Sequence, residues 1–356
     1  MAEIRFEKAL QLKEKPDVSK IAFGTHFSDY MFEMDYNPEL GWHDPRIVPY
    51  RDISVSPANT TLHYGQAIFE GMKAFRQENK VVMFRPLDHL NRLNRSAKIL
   101  DIPEVDVDVV YQGLHKLIET EKAWVPEKKG QSLYIRPFIF ATDPFLGVSV
   151  SATYKLLIIL SPVAAYYANG FAPVKIMVED KYVRAVRGGL GEAKTPANYA
   201  ASLHAGLVAH QKGYDQTLWL DGVERKYIEE VGSMNILFKI KGEIVTPKLD
   251  GSILNGITRR TVLAVAKEWG LPVSERLISI DEIKQAYDNG ELEEVFGSGT
   301  AAVISPVGVL SYKGKEMVIN DGKIGPFAQK MFDHITGLQS GTVEDTQKFV
   351  AFVADL

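Results

Sequence analysis

The stretch "GGLGEAKTPANY", Gly188 to Tyr199, sets a lysine just beyond a run of glycines and then stiffens into Pro-Ala-Asn-Tyr. A phosphate-binding loop of the P-loop kind needs glycine directly before Lys-Ser/Thr. Glu192 and Ala193 stand between Gly191 and Lys194, so that pattern is missed. Taken alone, the stretch reads more readily as a surface turn with a solvated lysine, because glycine punctuates loops everywhere. The surrounding chain has to decide what Lys194 is for.

Downstream, "PANYAASLHAGLVAHQKGY" reads as a helix that stops at Gly213. "QTLWLDG" and "KYIEEVGSMNILFKIKGEIVTP" read as strands, the second with a hairpin turn near Gly242. "GITRRTVLAVAKEWG" predicts a helix ending at Gly270, and "SIDEIKQAYDNG" one capped by Ser279 and stopped at Gly290. "LEEVFGSGTAAVISPV" reads as strand, glycine turn and a second apolar run. Upstream, "RPLDHLNRLNRSAKIL" places Leu87, Leu90, Leu93, Ala97 and Leu100 at helical spacing, with Pro86 suited to a first turn. "VDVVYQGLHKLIETEKAW" repeats that pattern, while "SLYIRPFIFA" and "YKLLIIL" are strand-like. "SPVAAYYANGFAP", Ser161 to Pro173, has the punctuation of a linker.

The expected fold is therefore mixed α/β, of α+β character, in two domains. Residues 1–165 form a small N-terminal domain, 166–176 a linker and 177–356 a large C-terminal domain with Lys194. A chain of 356 residues agrees with two domains of about 150 residues each. No G-x-G-x-x-G follows a strand, which disfavours Rossmann-type dinucleotide binding.

Composition closes off several function classes. A net charge of −4 leaves no basic footprint for nucleic acid. The longest apolar run, "LLIIL", has a strand's length and falls far short of a membrane span. The start "MAEIRFEKALQLKEK" lacks a secretory apolar segment, so the expected location is cytoplasmic. With no cysteine, disulfides, thiolate metal sites and a thiol nucleophile are all excluded. The eight histidines form no H-x-x-x-H or H-x-H pair, so no metal is expected.

Three segments look suited to an anion. "LNGITRRTVL" puts Ile257 and Thr258 where a helix begins, with free amides at the positive dipole end. "FGSGTAA" packs Gly297, Ser298, Gly299 and Thr300 into a turn that exposes further amides and hydroxyls. "MFRPLDHL" sets Arg85 before a helix, where its guanidinium could grip a phosphate or simply pair with a surface carboxylate. In "YIEEVGSMN", the adjacent Glu229 and Glu230 sit inside a buried-looking strand, so one of them must face inward. A buried carboxylate needs a cation or proton donor, and an internal salt bridge is the ordinary explanation.

Taken in order, "LHYGQAIFEGMKAF", "MFRPLDHLNRLNRSA", "LYIRP", "GEAKTPANYAAS", "LWLDG", "EEVGSMN" and "EVFGSGTA" resemble the branched-chain amino-acid aminotransferases. These are pyridoxal-phosphate enzymes of fold type IV, and the likeness runs from about Phe23 to about Val307. The resemblance implies a two-domain fold-type IV architecture with the active site between the domains. It makes Lys194 the Schiff-base lysine and the carrier of the α-proton, a role that requires the neutral amine. Glu230 would pair with the pyridine nitrogen of pyridoxal 5'-phosphate, keeping the ring cationic. Tyr199 would bond the phenolic oxygen, while Arg85, Ile257, Thr258, Gly299 and Thr300 would hold the phosphate.

The same resemblance assigns a substrate pocket. Phe23, Tyr64, Phe69, Tyr134 and Tyr166 would form aromatic walls, though core packing is a serious rival for Phe23 and Tyr166. Tyr64 and the amides of Thr300 and Ala301 would meet the substrate α-carboxylate. Arg136 would receive the distal carboxylate of L-glutamate or 2-oxoglutarate. The implied partners are branched-chain L-amino acids, L-glutamate and their 2-oxo acids. "DPFLGVS", Asp143 to Ser149, resembles a loop that reaches a neighbouring subunit and implies a homodimer. The Cys-x-x-Cys pair that some members carry after "GSGTA" is replaced by Ala302 and Ser305, so no thiol switch can operate. Rivals are other fold-type IV enzymes, such as D-amino-acid aminotransferases or aminodeoxychorismate lyases, and a non-catalytic phosphate-ligand binder. The former share the lysine, glutamate and phosphate cradle but should lack "HYGQAIFEGMKAF" together with "YIRP".

Overall fold

The computed structural model describes residues 3–164 and 171–356. In chain order, β1 (Arg5–Phe6), β2 (Tyr30–Asn37) and β3 (Gly41–Pro49) precede α1 (Thr60–Tyr64) and β4 (Ala67–Phe69). Then come β5 (Met72–Gln77), β6 (Lys80–Phe84), α2 (Pro86–Ile99), α3 (Val107–Thr120), β7 (Ser132–Ala141) and β8 (Tyr154–Val163). The second half runs β9 (Val174–Glu179), α4 (Pro196–Gln211), β10 (Gln216–Leu220), β11 (Ile228–Val231), β12 (Met234–Ile240) and β13 (Glu243–Pro247). It continues with α5 (Ile257–Glu268), β14 (Val273–Arg276), α6 (Ile280–Asp288), β15 (Leu292–Gly299) and β16 (Val303–Tyr312). The last elements are β17 (Lys315–Val318), α7 (Pro326–Ser340) and β18 (Val350–Asp355). Among the described residues no helix is long and apolar enough to cross a membrane.

Contacts divide the chain into unit 1 (Met1–Tyr166, Ala193–Pro196, Thr336–Leu356) and unit 2 (Tyr167–Glu192, Ala197–Ile335). The sequence reading gave everything from residue 177 onward to one C-terminal domain. The contacts instead group Lys194 and the C-terminus with unit 1. The reason is hydrogen bonding at long sequence range: β18 pairs with β6, and Lys194 bonds to Phe69 and Ser96.

Unit 1 is built on a sheet of nine described strands in the order β1-β3-β2-β8-β7-β5-β6-β18, with β4 on β7. β7 and β8 pair without a bulge from Ser132↔Val163 to Ala141↔Tyr154. That register fixes which residues of "YIRPFIFA" share a face, because a one-residue slip would invert all of them. α2 forms where Pro86 presets its first turn, and it buries Leu90, Leu93 and Ala97 in the core. Burying each leucine contributes about 1.5–3 kcal/mol. α3 starts at Asp106, whose carboxylate accepts the amides of Asp108 and Val109, and its Gly113 lies against Phe32. A β-carbon at Gly113 would come within 2.3 Å of that ring.

In unit 2 the described strands run β11-β10-β9-β16-β15-β12-β13-β14, with β17 on β16, and β11 also pairs with β12. The last pairing closes β11, β10, β9, β16, β15 and β12 into a ring, which removes free edges there. Closure needs a turn that the sequence reading lacked. "KYIEEVGSMNILFKIKGEIVTP" bends twice, first at Gly232 (φ 55) and again at Lys241 and Gly242 (φ 50 and 79). The second bend, with two consecutive positive φ values, is the type I′ hairpin turn that suits right-twisted strands. A second correction concerns "FGSGTAA". Gly297 to Gly299 belong to β15 and pair with Val303 to Ser305, so the turn proper is only Thr300 to Ala302.

Candidate active site

Each unit holds a constellation of its own. In unit 1, Lys194 is held by its backbone on both sides. Its amide donates to Ser96 Oγ at 2.9 Å, and its carbonyl accepts the amide of Phe69 at 3.0 Å. Thr195 Oγ1 donates to the Ala67 carbonyl at 2.8 Å, so this short segment is sewn to β4. The amine lies 4.9 Å from the centre of the Phe69 ring, and the Arg136 guanidinium lies 4.6 Å from the same ring. Arg136 also donates from Nη2 to Tyr134 Oη at 2.9 Å, while its buried Nε has no hydrogen-bond partner. Phe23 stands edge-on to Tyr134 with centroids 5.0 Å apart. It is half exposed, so core packing does not explain it.

The structure thus brings Lys194, Phe69, Arg136, Tyr134 and Phe23 into one chain of neighbours. Their arrangement supplies an amine, an aromatic wall and a cation with an unused donor. Tyr64 is exposed and donates its hydroxyl to the Leu146 carbonyl, in the loop after β7. Arg85 adopts left-handed backbone (φ 52) as it enters α2. Its guanidinium pairs with Asp88 at 2.7 Å and lies 4.4 Å from the Phe349 ring. It is buried, which rules out the simple surface ion pair. Tyr166 lies outside the described residues.

Beneath these groups is a cluster that the sequence reading did not single out. Glu70, fully buried, receives Arg92 through Nε at 2.7 Å and Nη2 at 2.9 Å, and His89 Nδ1 at 2.7 Å. Burial pushes the Glu70 carboxyl up, but Arg92 and His89 outweigh it and hold the group well below the usual carboxylate range. Burial lowers His89, and although Glu70 opposes this, its pKa stays below the ordinary value. The available sequence signal was the spacing of His89, Arg92 and Ser96 on one helix face, which reads as polar decoration until the carboxylate is found.

Unit 2 gathers its groups around Asn235. In the ladder Asn235 is paired with Glu230 on one side and Ser298 on the other. Its Nδ2 donates to the Leu254 carbonyl at 2.9 Å, and the Leu254 amide donates to Glu230 Oε1 at 2.7 Å. Its Oδ1 sits so close to Gly256 that a β-carbon there would approach to 1.9 Å. Gly256 is the N-cap of α5 and offers no side-chain cap, which leaves the first backbone amides of α5, at Ile257 and Thr258, to a ligand or water. Ser298 Oγ is buried without a hydrogen-bond partner, beside Gly299 and the turn of Thr300 and Ala301. This donor set suits a phosphate. Tyr199 is half-buried in the first turn of α4.

Both glutamates of "EEVGSMN" are buried, not one as strand alternation required. The loop residues Arg184 and Ser252 cover them. Glu230 pairs with Arg184 Nε at 3.2 Å. Glu229 accepts Ser252 Oγ, its other oxygen has no partner, and burial raises it to about 7. Arg184 also donates to the carbonyls of Gly191 and Ser252. Arg184 and Asn235 were both missed: the first stands in a loop without periodicity, and the second inside a strand motif valued for its carboxylates.

Residues 67–309 match the family described as Amino-transferase class IV. The chain is 56% identical over 354 residues to branched-chain-amino-acid aminotransferase 2 of Bacillus subtilis, covering 99% of this chain and 98% of that one. Its fold is similar to the branched-chain amino acid aminotransferase from Escherichia coli, with TM-score 0.74, 30% identity and coverage of 92% and 99%. It is also similar to the branched-chain aminotransferase of the thermophilic archaeon Thermoproteus uzoniensis, solved with norvaline, with TM-score 0.76, 26% identity and coverage of 91% and 100%.

Proposed function

Since the chain belongs to the class IV aminotransferases, and among them to the branched-chain-amino-acid aminotransferases, we propose that it reversibly transfers the amino group of L-leucine, L-isoleucine or L-valine to 2-oxoglutarate, with pyridoxal 5'-phosphate as cofactor. The products are the branched-chain 2-oxo acid and L-glutamate. The observation that supports this most is Lys194, gripped by its backbone beside an aromatic wall that also holds the Arg136 guanidinium.

When bound, pyridoxal phosphate supplies an electron-accepting ring that stabilises negative charge at the substrate α-carbon. Lys194 would hold it at its aldehyde and would move the proton at the substrate α-carbon. Glu230, oriented by Arg184 and the Leu254 amide, would hold the proton on the ring nitrogen. The amides of Ile257 and Thr258, with Gly299, Thr300 and Arg85, would hold the phosphate, and Tyr199 would bond the phenolic oxygen. Phe23, Phe69 and Tyr134 exclude water around the aliphatic side chain, as Tyr166 does in the same reading. Tyr64 and the amides of Thr300 and Ala301 receive the α-carboxylate, and Arg136 receives the distal carboxylate of glutamate.

The same reading includes a cytoplasmic homodimer. Its support is the loop after β7, where Leu146, Val148 and Val150 stand exposed. Purified protein incubated with the cofactor, 2-oxoglutarate and each branched-chain L-amino acid should form glutamate. Preference for D-alanine, or no turnover with any branched-chain substrate, would sink the proposal.

A further inference from the structure

α2 presents three polar side chains at positions 89, 92 and 96, spaced so that all lie on one helix face. Two of them, His89 and Arg92, close on Glu70. Glu70 directly follows Phe69, its amide donates to the Pro137 carbonyl at 2.7 Å, and its carboxylate accepts the Gly71 amide at 3.2 Å. The end of β4 is thereby fixed to α2 by charges with no access to water. The third, Ser96, is also fully buried. A serine within a helix commonly turns its hydroxyl back to its own backbone. Here the oxygen accepts the amide of Lys194, 98 residues along the chain. One helix face therefore grips both Lys194 and Glu70, the neighbour of the Phe69 whose amide donates to the Lys194 carbonyl.

We infer that Ser96 is a positioning residue for Lys194. Its hydroxyl fixes the backbone from which the amine extends, and the Glu70–His89–Arg92 cluster holds the helix that carries Ser96 in register with Phe69. The inference rests on the role of Lys194 proposed above. Reacting groups tolerate little displacement, since about 1 Å can cost on the order of 100-fold in rate. Loss of one of two backbone anchors permits a smaller drift.

The test uses Ser96→Ala and Ser96→Thr in the full-length enzyme. Ser96→Ala should lower kcat about tenfold with KM for leucine within about twofold, the pattern of a group that acts in the transition state. It should also slow, by a similar factor, the growth of visible absorbance when cofactor-free protein takes up pyridoxal phosphate. In that cofactor-free protein, amide hydrogen exchange at Lys194 should become faster. Ser96→Thr, which keeps the hydroxyl, should stay within about threefold of wild type on each measure. Unchanged kcat and exchange in Ser96→Ala would overturn the inference, and so would equal impairment of both variants, which would point to packing. Lys194→Ala run in parallel separates the two levels. If it retains turnover, the proposed function fails. If it is inactive while Ser96→Ala is normal, only the positioning role is lost.

Discussion

In unit 1 the buried carboxylate Glu70 meets a guanidinium through two hydrogen bonds and an imidazole through a third. In unit 2 two carboxylates stand side by side, and the Arg184 guanidinium pairs with Glu230. Glu229 is left with a hydroxyl and an empty oxygen. The first arrangement is charge-balanced and suited to holding a backbone still. The second separates two identical side chains into one matched by a cation and one pushed towards its neutral form by burial. The proposed chemistry needs both kinds of construction. A lysine must be held in place, and a carboxylate must stay charged where its partner has to remain protonated.

Lys194→Ala should break the unit 1 side of the comparison most severely. Leucine to 2-oxoglutarate transfer should fall by at least about three orders of magnitude, since Lys194 is the group proposed to take the α-proton. Appreciable turnover measured on purified variant would mean that the backbone grip around Lys194 serves something else. Next in size is the contrast within unit 2. Glu230→Gln should cost roughly 100-fold in kcat, while Glu229→Gln leaves kcat within about threefold. An amide at position 230 cannot hold a proton on a ring nitrogen, whereas an amide at 229 mimics the neutral acid already favoured there. A reversal of the two effects would exchange their roles.

How much of this was legible depended on the range over which the signal acts. α2 was readable to within a residue at each end because Pro86, the leucine spacing and the strand before it all lie within a few turns. β7 was readable because "SLYIRPFIFA" is rich in branched and aromatic residues. The turn at Gly232 was not, since "EEVGSMN" looks continuous until ring closure forces β11 to fold back on β12. The grouping of Lys194 with unit 1 was equally hidden, because its partners Phe69 and Ser96 lie about a hundred residues away. Motif resemblance pointed to Lys194, Glu230 and Arg136, but it said nothing of Arg184, Asn235 or Glu70. Those residues act through other residues of the protein, and single-sequence patterns record such contacts poorly.

Arg136→Met sharpens the comparison on the substrate side. The guanidinium already bonds Tyr134 and keeps a buried Nε unused, so a second carboxylate has a donor to meet. A hydrogen bond to a charged group contributes about 1.5–3 kcal/mol, and its loss should cost about 10- to 100-fold in kcat/KM for glutamate and 2-oxoglutarate. Leucine and its oxo acid should change by less than about threefold. Equal losses in the two half-reactions, measured separately, would reduce Arg136 to a structural partner of Tyr134 and Phe69.

The smallest effect concerns Glu229 and stability. Burial raises its carboxyl to about 7, far above the unfolded-state value of about 4.3. Between those two values the folded protein keeps a proton that the unfolded chain has released. Stability from this group is therefore full below about pH 4, declines as pH rises, and is lost once pH passes about 7. Glu229→Gln carries no such titration and preserves most of the shape and the acceptor for Ser252. Its stability minus that of wild type should rise from near zero at pH 5 to about 1–3 kcal/mol at pH 8, read from urea unfolding at each pH. The matching comparison in unit 1 has the opposite sign. Glu70, held well below its ordinary range by Arg92 and His89, contributes stability at neutral pH that is lost only on strong acidification. Removing its charge with Glu70→Gln should destabilise at pH 8 as much as at pH 5, because Arg92 is left buried without its counter-charge at both. If both glutamine variants respond to pH in the same direction, the two carboxylates are not held in the contrasting states described.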